Sequence, residues 1–252
     1  MFPVMSLLCI GATLLLCAYT LHKVRLIHLM LHDVRDQSHT ESTCLFRQLE
    51  ALQALYTDLG LSRSLPDTRG WAASPDFLLE LTRHALADAP HVVVECSSGT
   101  ATMVLARCMQ INGVGKVYSL EHDPAYARET RRELERHGLT AWAEVIDAPL
   151  TAQEFAGAMW PWYATDGLPQ GVDIDMLVIG GPPQATRSCA RYPAGPALFV
   201  CLSPGAAVFL DDARRHDEQQ ILRRWANEYP EIEQRQLPSE KGAAILRYRP
   251  RA

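Results

Sequence analysis

Two acids, Glu95 and Glu121, stand 26 residues apart, and each closes a short apolar run, HVVVE and KVYSLE. Glu95 leads directly into Cys96-Ser97-Ser98-Gly99-Thr100-Ala101-Thr102, a row of small residues that lets a ligand come close to the backbone. A tight strand-to-helix turn with no ligand has the same composition. An acid placed like Glu121 can accept hydrogen bonds from both hydroxyls of a ribose, as nucleoside-binding sheets do in general. A third run, AEVID, ends in Asp147 followed by Ala148, where a side-chain acceptor can take an adenine amino group. A pyrophosphate-bearing nicotinamide cofactor would ask for G-x-G-x-x-G, because its phosphates must lie against bare backbone at a helix start. This loop offers only Gly99, and a nicotinamide-dependent oxidoreductase is therefore the third-ranked function.

The elements that must position these residues alternate strand and helix. Ser74-Pro75-Asp76 opens a helix that continues through FLLELTRHAL, with Ser74 as cap and Pro75 at the first helical position. Strands at 91–95, 116–121, 143–147, 174–180 and 206–211 are separated by helices at 100–111 and 124–137, and a further helix follows over 214–228. Short apolar strands with helices between them predict a parallel sheet covered on both faces. Two late strands, near 231–237 and 243–248, have no helix between them and predict a closing antiparallel hairpin. The expected fold is α/β, a Rossmann-like doubly wound and mostly parallel sheet over 71–252, with its ligand outside the carboxyl ends of the strands.

Composition narrows the partners. The net charge is −5 and the 24 Lys and Arg residues are scattered, so no basic field calls for nucleic acid. Arg128, Arg131 and Arg132 form a short cluster without interleaved aromatics, the wet face of a helix. The seven cysteines show no paired spacing and read as small buried hydrophobes in a reducing compartment. His28 and His32 stand one helical turn apart, with no third metal ligand nearby.

Before the sheet region lies a different kind of sequence. The run PVMSLLCIGATLLLCAYTL, from Pro3 to Leu21, carries no charge and is close to the length that crosses ~30 Å of hydrocarbon. No Lys or Arg precedes it, and no small-x-small cleavage site follows, so a retained anchor over 1–22 is expected rather than a removed signal. Lys23, Arg25 and Arg35 follow the run, which predicts a single-pass protein of the inner (cytoplasmic) membrane with its main domain in the cytoplasm. Residues 23–62 predict a juxtamembrane helix with a narrow stripe at Leu45, Leu49, Leu52, Leu55 or Tyr56, and Leu59. Such a stripe can zip into a homodimer or pack on the following domain. Residues 63–70, with Pro66 and Gly70, read as a linker.

The segments VVVECSSGTATMVLA, GVGKVYSLEHDPAYARETRRELERHGL, VIDAPL, DMLVIGGPP, ARYPAGPAL and LSPGAAVFLDDARRHDE resemble bacterial class I S-adenosylmethionine-dependent methyltransferases of the small, substrate-uncharacterised type. The resemblance covers nearly everything from Trp71 to Tyr248. It implies that Glu95, Ser97, Gly99 and Ala101 hold the methionine part of S-adenosylmethionine, that Glu121 holds the ribose, and that Asp147 and Ala148 lie against the adenine. Asp211, Asp212 and His216 stand after the fifth strand as a base or substrate contacts, although Asp212 can equally cap the next helix.

Two positions depart from the family pattern: Ser97 stands where it usually has Gly, and Gly180 where it usually has Asp. Gly180 also removes the fourth-strand oxygen that metal-dependent catechol-type members use with a fifth-strand acid, so no metal is expected. The resulting expectation is a membrane-anchored methyltransferase acting on an oxygen or nitrogen of a small-molecule or glycan-type acceptor. A non-catalytic, membrane-tethered binding or scaffold protein is the competing class, and Ser97 and Gly180 are what favour it. The aromatic insert of 151–171 and the loop 187–196 are expected to shape the acceptor pocket.

Overall fold

The computed structural model describes residues 2–249. One helix, α1 (Phe2–Leu59), replaces the two helices expected at the N-terminus. Between Pro3 and Gly60 the chain contains only Gly11 as a helix-weakening residue, so nothing in the sequence forces a break at residue 22. Compact units are Met1–Arg47 and Gln48–Ala252. In the first unit the exposed apolar side chains include Leu14, Leu15, Leu16, Tyr19 and Leu21. The helix is long and apolar enough to cross a membrane by length and composition.

In the second unit, Gln48, Ala51, Leu55 and Leu59 are buried at helical spacing. The Gln48 side chain accepts a hydrogen bond from the Asp76 amide at 3.2 Å. The last three turns of α1 therefore belong to the core of this unit, while Leu45 and Leu49 of the expected stripe remain exposed.

The sheet forms from β1 (Val92–Cys96), β2 (Lys116–Glu121), β3 (Ala143–Asp147), β6 (Ile174–Ile179), β7 (Leu202–Asp211), β8 (Ile232–Leu237) and β9 (Ala243–Tyr248), in the order β3-β2-β1-β6-β7-β9-β8. The first five strands pair in parallel, and β9 and β8 close the edge antiparallel, as the sequence predicts. Val94 pairs with Tyr118 on one side and Leu177 on the other, so β1 and β6 flank the point where strand order reverses. Ligands in such sheets bind in the crevice at that point.

Adjacent residues of β1 feed opposite layers. Val93 packs with Phe77, Leu81 and Met103 of α2 (Pro75–Asp88) and α3 (Thr100–Asn112), and Val94 packs in the layer of Trp162, Tyr192 and Trp225. Burial on both faces explains why β1 reads as an unbroken apolar run. Helix α4 (Pro124–His137) is capped by the Asp123 carboxylate, which accepts from Ala125 N at 2.7 Å, and ends at Gly138, whose φ is +66°. Helices α5 (Ala194–Leu198) and α6 (His216–Glu228) cover the second face.

The segment after β3 holds the main departure from expectation. Strands β4 (Leu150–Phe155) and β5 (Ala158–Tyr163) form a separate antiparallel hairpin. It buries Trp160, Trp162 and Tyr163 in the second layer, so these aromatics are packing residues.

Candidate active site

At the carboxyl ends of β1, β6 and β7 lies a cavity of about 600 Å³. Of the residues singled out in the sequence, Glu95, Ser97, Gly99, Ala101 and Asp211 line it, together with Gly180. The stretch read as a linker runs along the same cavity rather than away from it. Its Asp67 carbonyl accepts from Thr100 Oγ1 at 2.9 Å, and the carbonyls of Gly70 and of Ala72, just beyond it, accept from Lys241 Nζ at 2.9 and 2.7 Å. Backbone carbonyls held by distant side chains leave no apolar pattern in the sequence, which is why this strap was not foreseen.

Glu95 is 1% exposed, and its Oε2 accepts from the hydroxyls of Thr102 and Ser119, both at 2.7 Å. Burial pushes its carboxyl up to about 7, and those hydroxyl donors pull the other way. Glu121 lies at the end of β2 as expected. Ser98 Oγ donates to its Oε2 and Asp123 N to its Oε1, both at 2.9 Å. Two fixed donors thus orient the carboxylate proposed for the ribose. Ala148 is buried with its amide bonded to the Glu121 carbonyl at 2.7 Å. Asp147 points to solvent and pairs with Arg131 at 2.9 Å, on the rim of this group.

The three residues after β7 separate. Asp211 faces the cavity, with its Oδ1 accepting from Asp212 N at 2.8 Å. Burial first, and then the neighbouring Asp212 charge, push its carboxyl up to about 6, while Arg191 opposes them. Asp212 turns the other way, with φ of +59°, and pairs with Arg191 at 2.8 Å and Arg215 at 3.0 Å. It is not the helix cap that the sequence allowed, because Arg215 occupies the N-cap of α6 without a side-chain cap bond. His216 is exposed and lies beside Asp217 and Gln220, outside the cavity lining.

The two departures from the family pattern prove to be one feature. Ser97 sits at φ of +140°, a backbone conformation that favours glycine, and its hydroxyl lies over Gly180. A Cβ built on Gly180 would lie 2.8 Å from Ser97 Oγ, closer than real Cβ contacts allow. With serine at 97, a side chain at 180 would force the Ser97 hydroxyl to move. Tyr163 Oη likewise closes over Gly181, where a side chain would collide with it.

Residues 94–213 match the family described as a methyltransferase domain. The fold is shared with the cofactor-bound protein Rv0187 from MTB, at 21% identity and a TM-score of 0.54, covering 83% of this chain and 91% of that one. It is shared as well with the O-methyltransferase TomG of Streptomyces achromogenes, involved in tomaymycin synthesis and solved with SAM, at 16% identity and a TM-score of 0.53, covering 81% and 89%. An O-methyltransferase of Bacillus cereus in complex with SAH follows at 17% identity and a TM-score of 0.51, covering 80% and 90%. No curated protein matches. Residues 94–213 thus match a methyltransferase domain, and the fold is the one seen in proteins solved with SAM or SAH.

The contact between residues 97 and 180 is open to test by thermal denaturation. Gly180→Ala should cost about 1–3 kcal/mol through overpacking. The same change in a Ser97→Gly background should cost much less, a coupling of roughly 0.5–3 kcal/mol. Strictly additive losses would show that the two positions do not touch.

Proposed function

We propose that the chain is a membrane-anchored methyltransferase that moves a methyl group from S-adenosylmethionine to an oxygen or nitrogen of a small-molecule or glycan-type acceptor. The observation that carries this reading is the grouping of Glu95, Ser97, Gly99, Glu121 and Asp211 at the carboxyl ends of β1, β2 and β7, around the switch point. S-adenosylmethionine carries an already activated methyl on its sulfonium. The donor set suits it. Small residues from Ser97 to Ala101 leave room for the methionine part against the backbone, and Glu121 is pre-oriented by Ser98 and Asp123 for ribose hydroxyls. Ala148 and Asp147 border the adenine side.

Asp211 is the residue placed to take a proton. A carboxyl held near 6 is ionised at neutral pH yet remains a better proton acceptor than an ordinary aspartate. For a hydroxyl acceptor it acts as general base, and the rest of the site supplies position. Asp212 has no such freedom, since Arg191 and Arg215 hold its carboxylate.

Calorimetric titration with S-adenosylhomocysteine tests the cofactor assignment. Wild-type protein should bind it, and Glu121→Ala should weaken binding by about 1.5–3 kcal/mol, the range for hydrogen bonds to a charged group. Equal affinity in a folded variant removes Glu121 from the site, and heat released by NAD but not by the homocysteine compound overturns the reading as a whole.

The anchor rests on the uncharged run from Pro3 to Leu21 and on the exposed apolar side chains of α1. Full-length protein should sediment with membranes and resist carbonate extraction. Recovery of the intact chain in the soluble fraction contradicts anchoring.

A further inference from the structure

Arg191 is the feature of the second unit that the site as described does not use. It is a buried cation, 4% exposed, in the loop before α5, and it does not line the cavity. Its Nη1 donates to the backbone carbonyl of Asp211 at 2.8 Å, and its Nη2 to the Asp212 carboxylate at 2.8 Å. Glu218 on α6, itself 2% exposed, stands 3.5 Å away on the far side. A buried cation is costly unless its partners are fixed. Here one planar fork grips two successive residues of one turn, a grip that a lysine ammonium cannot reproduce.

The consequence lies in the direction of two neighbouring acids. Residue 212 adopts φ of +59°, a conformation that non-glycine residues seldom take, and Asp212 N donates back to the Asp211 carboxylate at 2.8 Å. The turn sends the Asp212 side chain inward to Arg191 and leaves the Asp211 side chain toward the cavity. Strain of this kind persists only where surrounding contacts over-determine it. The fork of Arg191 supplies those contacts.

The geometry points to Arg191 as the positioning residue of this site: it locks the end of β7 so that Asp211, and not Asp212, presents its carboxylate to the acceptor. The inference rests on the reading of Asp211 as base. It deepens that reading by explaining how two adjacent acids acquire different tasks.

The charged groups that face Asp211 are Asp212 on its own strand end, Arg191 from the loop before α5 and Lys241 from the loop before β9, with Glu218 behind Arg191 on α6. Removing the Arg191 charge takes away a group that favours the ionised form and leaves Asp212 less compensated. Both effects raise the Asp211 midpoint.

The test is a carbon-13 NMR titration of the aspartate carboxyls in the full chain without donor or acceptor, with the Asp211 signal assigned by its loss in Asp211→Asn. Arg191→Met should raise the Asp211 midpoint by about one pH unit, a tenfold change in its ionisation constant. Arg191→Gln keeps an amide donor for the Asp211 carbonyl and should do the same, and it serves if the methionine variant does not fold. Glu218→Gln breaks the same buried cluster from its far side and should lower thermal stability without raising the midpoint. A folded Arg191 variant whose Asp211 midpoint stays at the wild-type value, or a Glu218→Gln midpoint that rises as far, overturns the assignment. Methyl transfer that survives Asp211→Asn would instead remove the base reading, and the titration would still report whether Arg191 holds the turn.

Discussion

The carbonyl of Cys96 is the point on which the rest of the site depends. It ends β1 and accepts from two successive amides, Gly180 N at 3.2 Å and Gly181 N at 2.7 Å, just beyond the end of β6. This pair of hydrogen bonds ties the two strands together where the strand order reverses. Close approach is possible because neither residue 180 nor residue 181 carries a Cβ. The hydroxyls of Ser97 and Tyr163 occupy the space that those side chains would need. The cavity, the direction of the Ser97 loop and the start of α3 all follow from that junction.

Around the junction the domain buries acids and assigns them by their partners. Glu95 is satisfied by hydroxyls alone and is held toward its neutral form. Asp212 and Glu218 share the Arg191 guanidinium, and Asp211 is left at the cavity with one backbone donor. Unpaired burial of a carboxylate is expensive, so a group left in this state within a cleft is a candidate functional position. Asp211 meets that description and Asp212 does not. Adjacent residues of like chemistry thus diverge because one buried cation pairs with only one of the two carboxylates.

Much of this was legible in the residues. The order and type of the strands, the closing hairpin and the acids at the ends of β1, β2, β3 and β7 are set by short apolar runs and their punctuation. The β4–β5 hairpin was not legible, because Pro161 and mixed polarity hide a strand whose lone partner leaves the proline without a bond to lose. The strap over 64–73 carries turn residues and reads as a linker, and only the reach of Lys241 and Thr100 reveals its course. Ser97 and Gly180, 83 positions apart, look like two separate losses in the sequence and face each other in the fold.

The switch point between β1 and β6 is where the methyl donor is proposed to bind. Hydrogen exchange with and without S-adenosylhomocysteine addresses it most directly. Binding should slow exchange at the backbone amides of residues 97–102, 121–123 and 147–150, the three strand-end segments around that point. Binding without protection of these segments, or with protection confined to other parts of the domain, would contradict it.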